Sequence, residues 1–238
     1  MVSRIDLGEI FIDVLKKDIK NIHLSVNPPN GKVKISAPLR MSLDAIRLFA
    51  ISKLGWIKTQ QNKMRSQPRE TPREYLEKES HFVWGQRYLL RIIEANVTPH
   101  VELTHSDLVL TVRPGSGEEK RQEIVQKWYR EQLRVAVAPL VHKWEQILGV
   151  QAAAFFVRKM KTRWGSCNPS SRYIRFNTDL AKKPSQCLEY IVVHELIHLL
   201  EPTHNKNFID LMDQHLPTWK CCRDHLNSMP VSHEDWRY

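Results

Sequence analysis

Residues 184–200 constrain this 238-residue chain more than any other stretch. Apolar side chains fall on nearly every face of a helix drawn through them: Leu188, Ile191, Val192, Val193, Leu196, Ile197 and Leu199. A helix with so little polar surface belongs inside a fold. Yet His194, Glu195 and His198 stand within it. Polar groups are costly to bury unpaired, so the two imidazoles and the carboxyl need a partner in the interior.

The spacing names that partner. Four residues of α-helix turn about 400°, so the two imidazoles stand one turn apart and differ by only about 40° in direction. Both rings can reach one ion. Zinc suits neutral imidazole and accepts three protein ligands plus water. Glu195 lies beside the pair, where a carboxylate can take a proton from the attacking water. A third ligand has to come from beyond the helix. His204 follows His198 by six positions, and Pro202 between them stops the helix and lets the chain fold back. The candidate site is therefore His194, His198 and His204 as metal ligands, Glu195 as the catalytic base and Zn2+ as the cofactor.

The remainder reads as α+β. Strands are expected at residues 9–15, 22–26 and 32–36, with Asn27-Pro28-Pro29-Asn30-Gly31 as a turn. Ser42 looks like an N-cap, followed by Ile46, Phe49, Ile51, Leu54 and Ile57 at helical spacing. Residues 66–72 read as a connector. Two hairpins follow, turning at Gly85-Gln86 and at Ser106-Asp107. A long helix over residues 118–148 carries Ile124, Trp128, Val135, Leu140, Val141, Trp144 and Ile147, with Pro139 expected to kink or break it and Gly149 to stop it. A strand at 154–157, a basic loop at 158–168 and a half-buried strand at 172–180 precede the metal helix. Ile174, Phe176 and Thr178 point one way in that last strand, and Tyr173, Arg175, Asn177 and Asp179 the other. A small twisted sheet should lie beside the metal helix. The chain divides into a β-rich and helical portion, 1–148, and a zinc-binding catalytic portion, 149–238, both read as parts of one domain.

The bulk numbers bear on partners and compartment. The four cysteines, Cys167, Cys187, Cys221 and Cys222, form no C-x-x-C pair, which argues against a disulfide framework and for a reducing, cytoplasmic setting. Neither a signal peptide nor a transmembrane segment is read from the sequence, and no membrane partner is expected. The net charge of +10 favours anionic partners. Residues 158–183 hold eight Lys or Arg and one acid, Asp179, directly before the metal helix. An anionic substrate or nucleic acid near the cleft would suit them.

Reading outward from the histidines, the sequence resembles the YgjP-like (DUF45) predicted metal-dependent hydrolases, relatives of the SprT and WLM zinc peptidases. The likeness rests on Arg163-Trp164-Gly165-Ser166-Cys167, Ile174-Arg175-Phe176-Asn177, the run from Tyr190 through Leu196, and His204 with Phe208. It implies a zincin-like metallopeptidase core, with the three histidines as zinc ligands and the glutamate at Glu195. The family often has Asn before the third histidine and an aromatic after the phenylalanine, where this chain has Thr203 and Ile209.

Other residues invite a role. Trp164 and Cys167 either line the cleft or pack beneath the metal helix, and Cys167 is a conceivable fourth ligand that would close the site to water. Arg175 and Asn177 are placed to meet a substrate or a developing oxyanion, and Arg163 also stands close in sequence. His215 and His225 read as surface or supporting residues. Three functions follow: a metallopeptidase acting on a peptide; a metal-dependent nucleoside triphosphate pyrophosphatase, with the basic stretch holding phosphates; and a nucleic-acid-associated SprT-like module.

Overall fold

The computed structural model describes residues 2–27, 31–66 and 70–230. They form two compact units, one ending at residue 70 and one beginning at residue 71. The architecture is mixed α+β with small sheets. No helix among the described residues is long and apolar enough to cross a membrane.

The first unit is a four-stranded sheet with two helices. Its strands are β1 (Val2–Asp6), β2 (Phe11–Lys17), β3 (His23–Asn27) and β4 (Lys32–Pro38), in the order β1-β2-β4-β3 with β2 and β4 parallel. Alternation sends Ile12 and Val14, and Val33, Ile35 and Ala37, into one core. Ser42 caps α1 (Leu43–Ser52) by accepting the Ala45 N–H at 3.2 Å. The single helix expected here is two, α1 and α2 (Leu54–Ser66), because the Lys53 N–H bonds back to Ala50 O. Ser52 and Gly55, at that joint, are weaker helix formers than their neighbours. Ile46 and Ala50, one turn apart, are buried; Ile51, about 100° round from Ala50, is exposed. Part of the expected turn (residues 28–30) and of the expected connector (67–69) lies outside the described residues.

The second unit has two sheets and four helices. β5 (Ser80–Val83), β6 (Gln86–Glu94), β7 (His100–Leu103) and β8 (Asp107–Val112) lie in the order β5-β6-β8-β7. The two hairpin-like pieces meet through the parallel pair β6 and β8. α3 (Glu118–Leu148) follows and buries Val125, Tyr129, Leu133, Val137, Val141 and Trp144. Val141 and Trp144 lie in that stripe as expected; Ile124, Trp128 and Leu140 each sit one position before a buried residue, and Val135 and Ile147 are exposed. Pro139 does not end the helix. Its missing N–H frees only the carbonyl of Val135, which at 59% exposure water can satisfy.

β9 (Ala154–Arg158), β10 (Gly165–Asn168) and β11 (Tyr173–Asn177) make the second sheet, in the order β10-β11-β9. β10 falls where the sequence reads as a basic loop. The expected strand over 172–180 stops at Asn177 and continues as a 3-10 turn, Thr178–Lys182. Three helices complete the unit: α4 (Ser185–Ile197), α5 (Lys206–His215) and α6 (Trp219–Ser228). α4 packs against α3, α5, α6 and β10, so nine of its side chains are buried on all sides.

The β5–β6 turn sets where α4 begins. The Trp84 N–H bonds Ala181 O at 2.8 Å and the Gly85 N–H bonds Lys182 O at 3.2 Å. Gly85 has φ +82°, and a Cβ there would fall 2.9 Å from Pro184 Cγ. Only glycine allows both the turn and the contact.

His81, on β5, is 4% exposed and lies 3.3 Å from the Glu79 carboxylate. Burial pushes its pKa down to about 4, with Arg73 and Lys182 acting the same way and Glu79 opposing. As pH falls from His81's ordinary 6.5 toward 4, the unfolded chain gains a proton that the folded chain refuses. This contribution to stability is therefore full above that window and lost within it. Urea unfolding at about pH 7 and about pH 4.5 should show a smaller acid-induced loss for His81→Gln than for the wild type; equal losses would refute the assignment.

Candidate metal centre

α4 ends at Ile197, three residues before the expected stop, which leaves His194 in its last turn and His198 as the C-cap. His198 keeps right-handed helical angles, so the two imidazoles still stand one above the other, ring centroids 4.9 Å apart. The chain then tightens: the N–H groups of Leu200 and Glu201 both bond Ile197 O at 2.9 Å. Pro202 cannot continue the ladder. His204 comes back over the helix end just before Asn205, the N-cap of α5, which accepts the Phe208 N–H at 3.1 Å. The His204 ring lies 4.9 Å from that of His194 and 4.7 Å from that of His198.

One ligand atom from each of these three residues lies within 4.8 Å of the others. The Nε2 atoms of His194 and His204 are 3.0 Å apart. A tetrahedral ion with Zn–N bonds of about 2.0–2.1 Å holds its ligand nitrogens about 3.3 Å apart. Only modest adjustment separates the two arrangements. Two of the rings are also held in the neutral state that a metal needs. Burial, then His198 and His204, push His194 down to about 3. Burial lowers His198 too, against the pull of the Glu201 carbonyl and carboxylate. His198 Nδ1 must be the donor to Glu201 O, at 3.0 Å, so its Nε2 carries the free lone pair. Three imidazoles without a carboxylate in the set suit zinc or another transition ion, not the oxygen-seeking magnesium or calcium.

Glu195 points elsewhere on the helix and is 5% exposed. Strand β10 makes room for it. A Cβ at Gly165 would fall 2.5 Å from Glu195 Oε1 and 2.9 Å from its carboxyl carbon. Burial pushes this carboxyl up to about 8, opposed by the charge of Arg163 and by the Cys167 backbone N–H, which donates to it. A divalent cation nearby would favour the charged form.

Several expected participants are elsewhere. The Cys167 thiol is not among the ligand atoms gathered at the three histidines. Burial and Glu195 push it up to about 11, so it is a neutral thiol. Asn177 is buried, and its amide is spent on the loop before β10. It donates to Met160 O and Arg163 O and accepts from the N–H groups of Met160 and Asp179. Nothing is left for an oxyanion. Arg175 faces solvent on β11. Trp164 is partly buried, with Lys183 Nζ 5.9 Å from its ring. His215 and His225 lie outside the histidine group. The basic stretch 158–183 does not face one way either. Lys182 pairs with Asp179 at 2.9 Å, Lys183 donates to Pro230 O at 2.6 Å, and Arg172 donates to Gln151 O at 2.6 Å.

The structure adds residues that spacing alone does not assign. Gly165 gives Glu195 its place. Glu201 holds the loop between the second and third histidines: its carboxylate accepts from Thr203 and is stabilised by the side chains of Asn205 and Asn207. The sequence signal was a glycine and a small-residue run directly after Trp164, too short to show alternation.

A protein-family model described as "YgjP-like, metallopeptidase domain" matches residues 20–229. The chain belongs to this family. YgjP-like membership supports a metal-dependent peptidase, in keeping with the resemblance noted from the motifs. Two solved structures are similar to part of the chain. One is the metallopeptidase zymogen abylysin of Pyrococcus abyssi, 23% identical over 38% of this chain and 90% of the other, with a TM-score of 0.36. The second is the metallopeptidase zymogen jannalysin of Methanocaldococcus jannaschii, 20% identical over the same shares, with a TM-score of 0.34. Likenesses this distant carry no argument about the site. A comparison with curated proteins finds no match.

Two substitutions probe the supports. Gly165→Ala should destabilise by about 1–3 kcal/mol through overpacking and cut peptide hydrolysis by roughly 10²-fold through misplacement of the carboxylate. Its metal content should stay that of the wild type by elemental analysis. Glu201→Ala should weaken zinc binding roughly tenfold in a chelator competition; unchanged affinity would show that the loop holds its shape without that carboxylate.

Proposed function

We propose that the chain is a zinc-dependent peptidase, with His194, His198 and His204 as the ligands and Glu195 as the general base. The observation that carries this reading is the convergence of three imidazoles, at least two of them held neutral by burial, at the end of the helix that also bears a buried carboxyl. The portion we assign to catalysis is 149–238, which contains all four residues.

When bound, zinc supplies Lewis-acid chemistry: it lowers the pKa of water toward neutrality and polarises a carbonyl. The remaining work falls to the chain. His194, His198 and His204 present ring nitrogens, and the Glu201 carbonyl fixes the tautomer of His198. The Cys167 N–H occupies one lone pair of the Glu195 carboxylate and sets its direction. Glu195 takes a proton from the attacking water and returns it to the leaving amine nitrogen as the peptide C–N bond breaks. Gly165 keeps that carboxylate tight against β10, where little solvent competes for the proton.

A nucleotide or nucleic-acid reading needs cations gathered around the centre. With Arg172, Lys182 and Lys183 engaged within the fold, that support is weaker than the sequence suggests. All four cysteines are free, which supports the reducing, cytoplasmic setting read from the sequence.

Elemental analysis of the purified protein should find about one zinc per chain. Assay against a mixed peptide library, with a nucleoside triphosphate in parallel, should show zinc-dependent peptide cleavage. Glu195→Gln should keep the metal and lose about 10²–10⁴-fold of that activity. Full activity in Glu195→Gln would remove the general-base role, and turnover of the triphosphate alone would replace the substrate class.

A further inference from the structure

Phe208 has no part in the chemistry above, yet its ring packs against all three imidazoles. It lies in the first turn of α5 and is 1% exposed. Its ring centroid is 4.9 Å from that of His194, 4.8 Å from His198 and 4.7 Å from His204. The three imidazole centroids are themselves 4.9, 4.9 and 4.7 Å apart. The four rings stand at the corners of a nearly regular tetrahedron. A tetrahedron with that edge puts the phenyl centroid about 4 Å from the plane through the imidazole centroids, which is carbon–carbon contact distance. Neither an ion nor a water fits in such a gap. One face of the imidazole triangle is closed by hydrocarbon.

We propose that Phe208 is a positioning residue that makes the three-histidine centre one-sided. The inference rests on the metal-centre reading above and deepens it. Three histidines alone leave an ion approachable from both faces of their triangle, whereas a hydrolytic site needs one open place for water. The phenyl ring removes one face, so that solvent and substrate share the other. It also sets ring tilt, meeting His194 and His204 edge-on at 69° and 79° and His198 more nearly parallel at 31°. The Asn205 cap ties this ring to the third ligand, because the same residue follows His204 and accepts the Phe208 N–H. Loop and floor are thus docked together.

Cobalt(II) titration of the metal-free protein tests this, read by d–d absorption and by competition with a chromophoric chelator. The wild type should take up about one cobalt per chain, with the intense absorption of a four-coordinate site. Phe208→Ala should lose most of that intensity as water enters from the second face, and should bind cobalt roughly tenfold more weakly. Phe208→Leu keeps the face closed and should match the wild type, with Phe208→Val between. Leu133→Ala, an equally buried position on α3, should lower the unfolding midpoint and leave the spectrum alone. If Phe208→Ala does not fold, Phe208→Val carries the same test. An unchanged spectrum and affinity in the folded Phe208 variants overturns the proposal, as does an equal change in Leu133→Ala. A wild type that takes up no cobalt overturns the metal-centre reading and this inference with it; uptake that ignores Phe208 overturns this inference alone.

Discussion

The end of α4 keeps two imidazoles and a carboxyl where little water reaches, and burial drives each toward its neutral form: His194 down to about 3, Glu195 up to about 8. That desolvation shapes everything around it. Neutral rings can offer lone pairs, and a carboxyl held out of water responds strongly to any charge placed beside it. The surrounding structure supplies what the helix lacks. A glycine on β10 yields space to the carboxyl, the Cys167 N–H reaches it, and the loop after α4 brings the third imidazole back over the helix end.

The loop from His198 to Phe208 achieves its return with few residues because most of its polar groups are used. Glu201 receives His198 at its carbonyl and Thr203 at its carboxylate, and Asn205 starts the next helix. The family's usual Asn ahead of the third histidine is Thr203 here, and its hydroxyl is occupied by Glu201. The departure is absorbed inside the loop, and the three imidazoles still gather.

What could be read beforehand was what burial and spacing write locally. The apolar run of α4, the one-turn interval between His194 and His198, the Ser42 cap and the two hairpins, whose turns lie one residue earlier than read, are each contained within a few residues, and each is present in the structure. The parts that escaped depend on distant neighbours. β10 is four residues of Gly-Ser-Cys-Asn with no apolar alternation, and only pairing with β11 makes it a strand. Asn177 alternates with the solvent side of its strand, yet the loop from Met160 to Arg163 folds over it. The α3 stripe was legible only in part, at Val141 and Trp144, because several apolar residues outside the core, such as Val135 and Ile147, are indistinguishable in sequence from those inside. Lys182 and Lys183 read as surface charge and turn inward to specific partners.

α3 has a consequence for how the second unit holds together. Its 31 residues pack against β7 and β8 in one sheet, β9 in the other, and α4 beyond them. Neither sheet, of four and three short strands, has a core of its own: the buried residues of both join a single cluster that runs through Tyr129, Leu133 and Val137. Such sheets gain independent stability only by leaning on a helix, and here they lean on the same one. The histidine-bearing half therefore has no separate melting of its own, and loosening the far end of that helix would be felt as faster exchange of amides throughout the unit, the behaviour of one foldon rather than two.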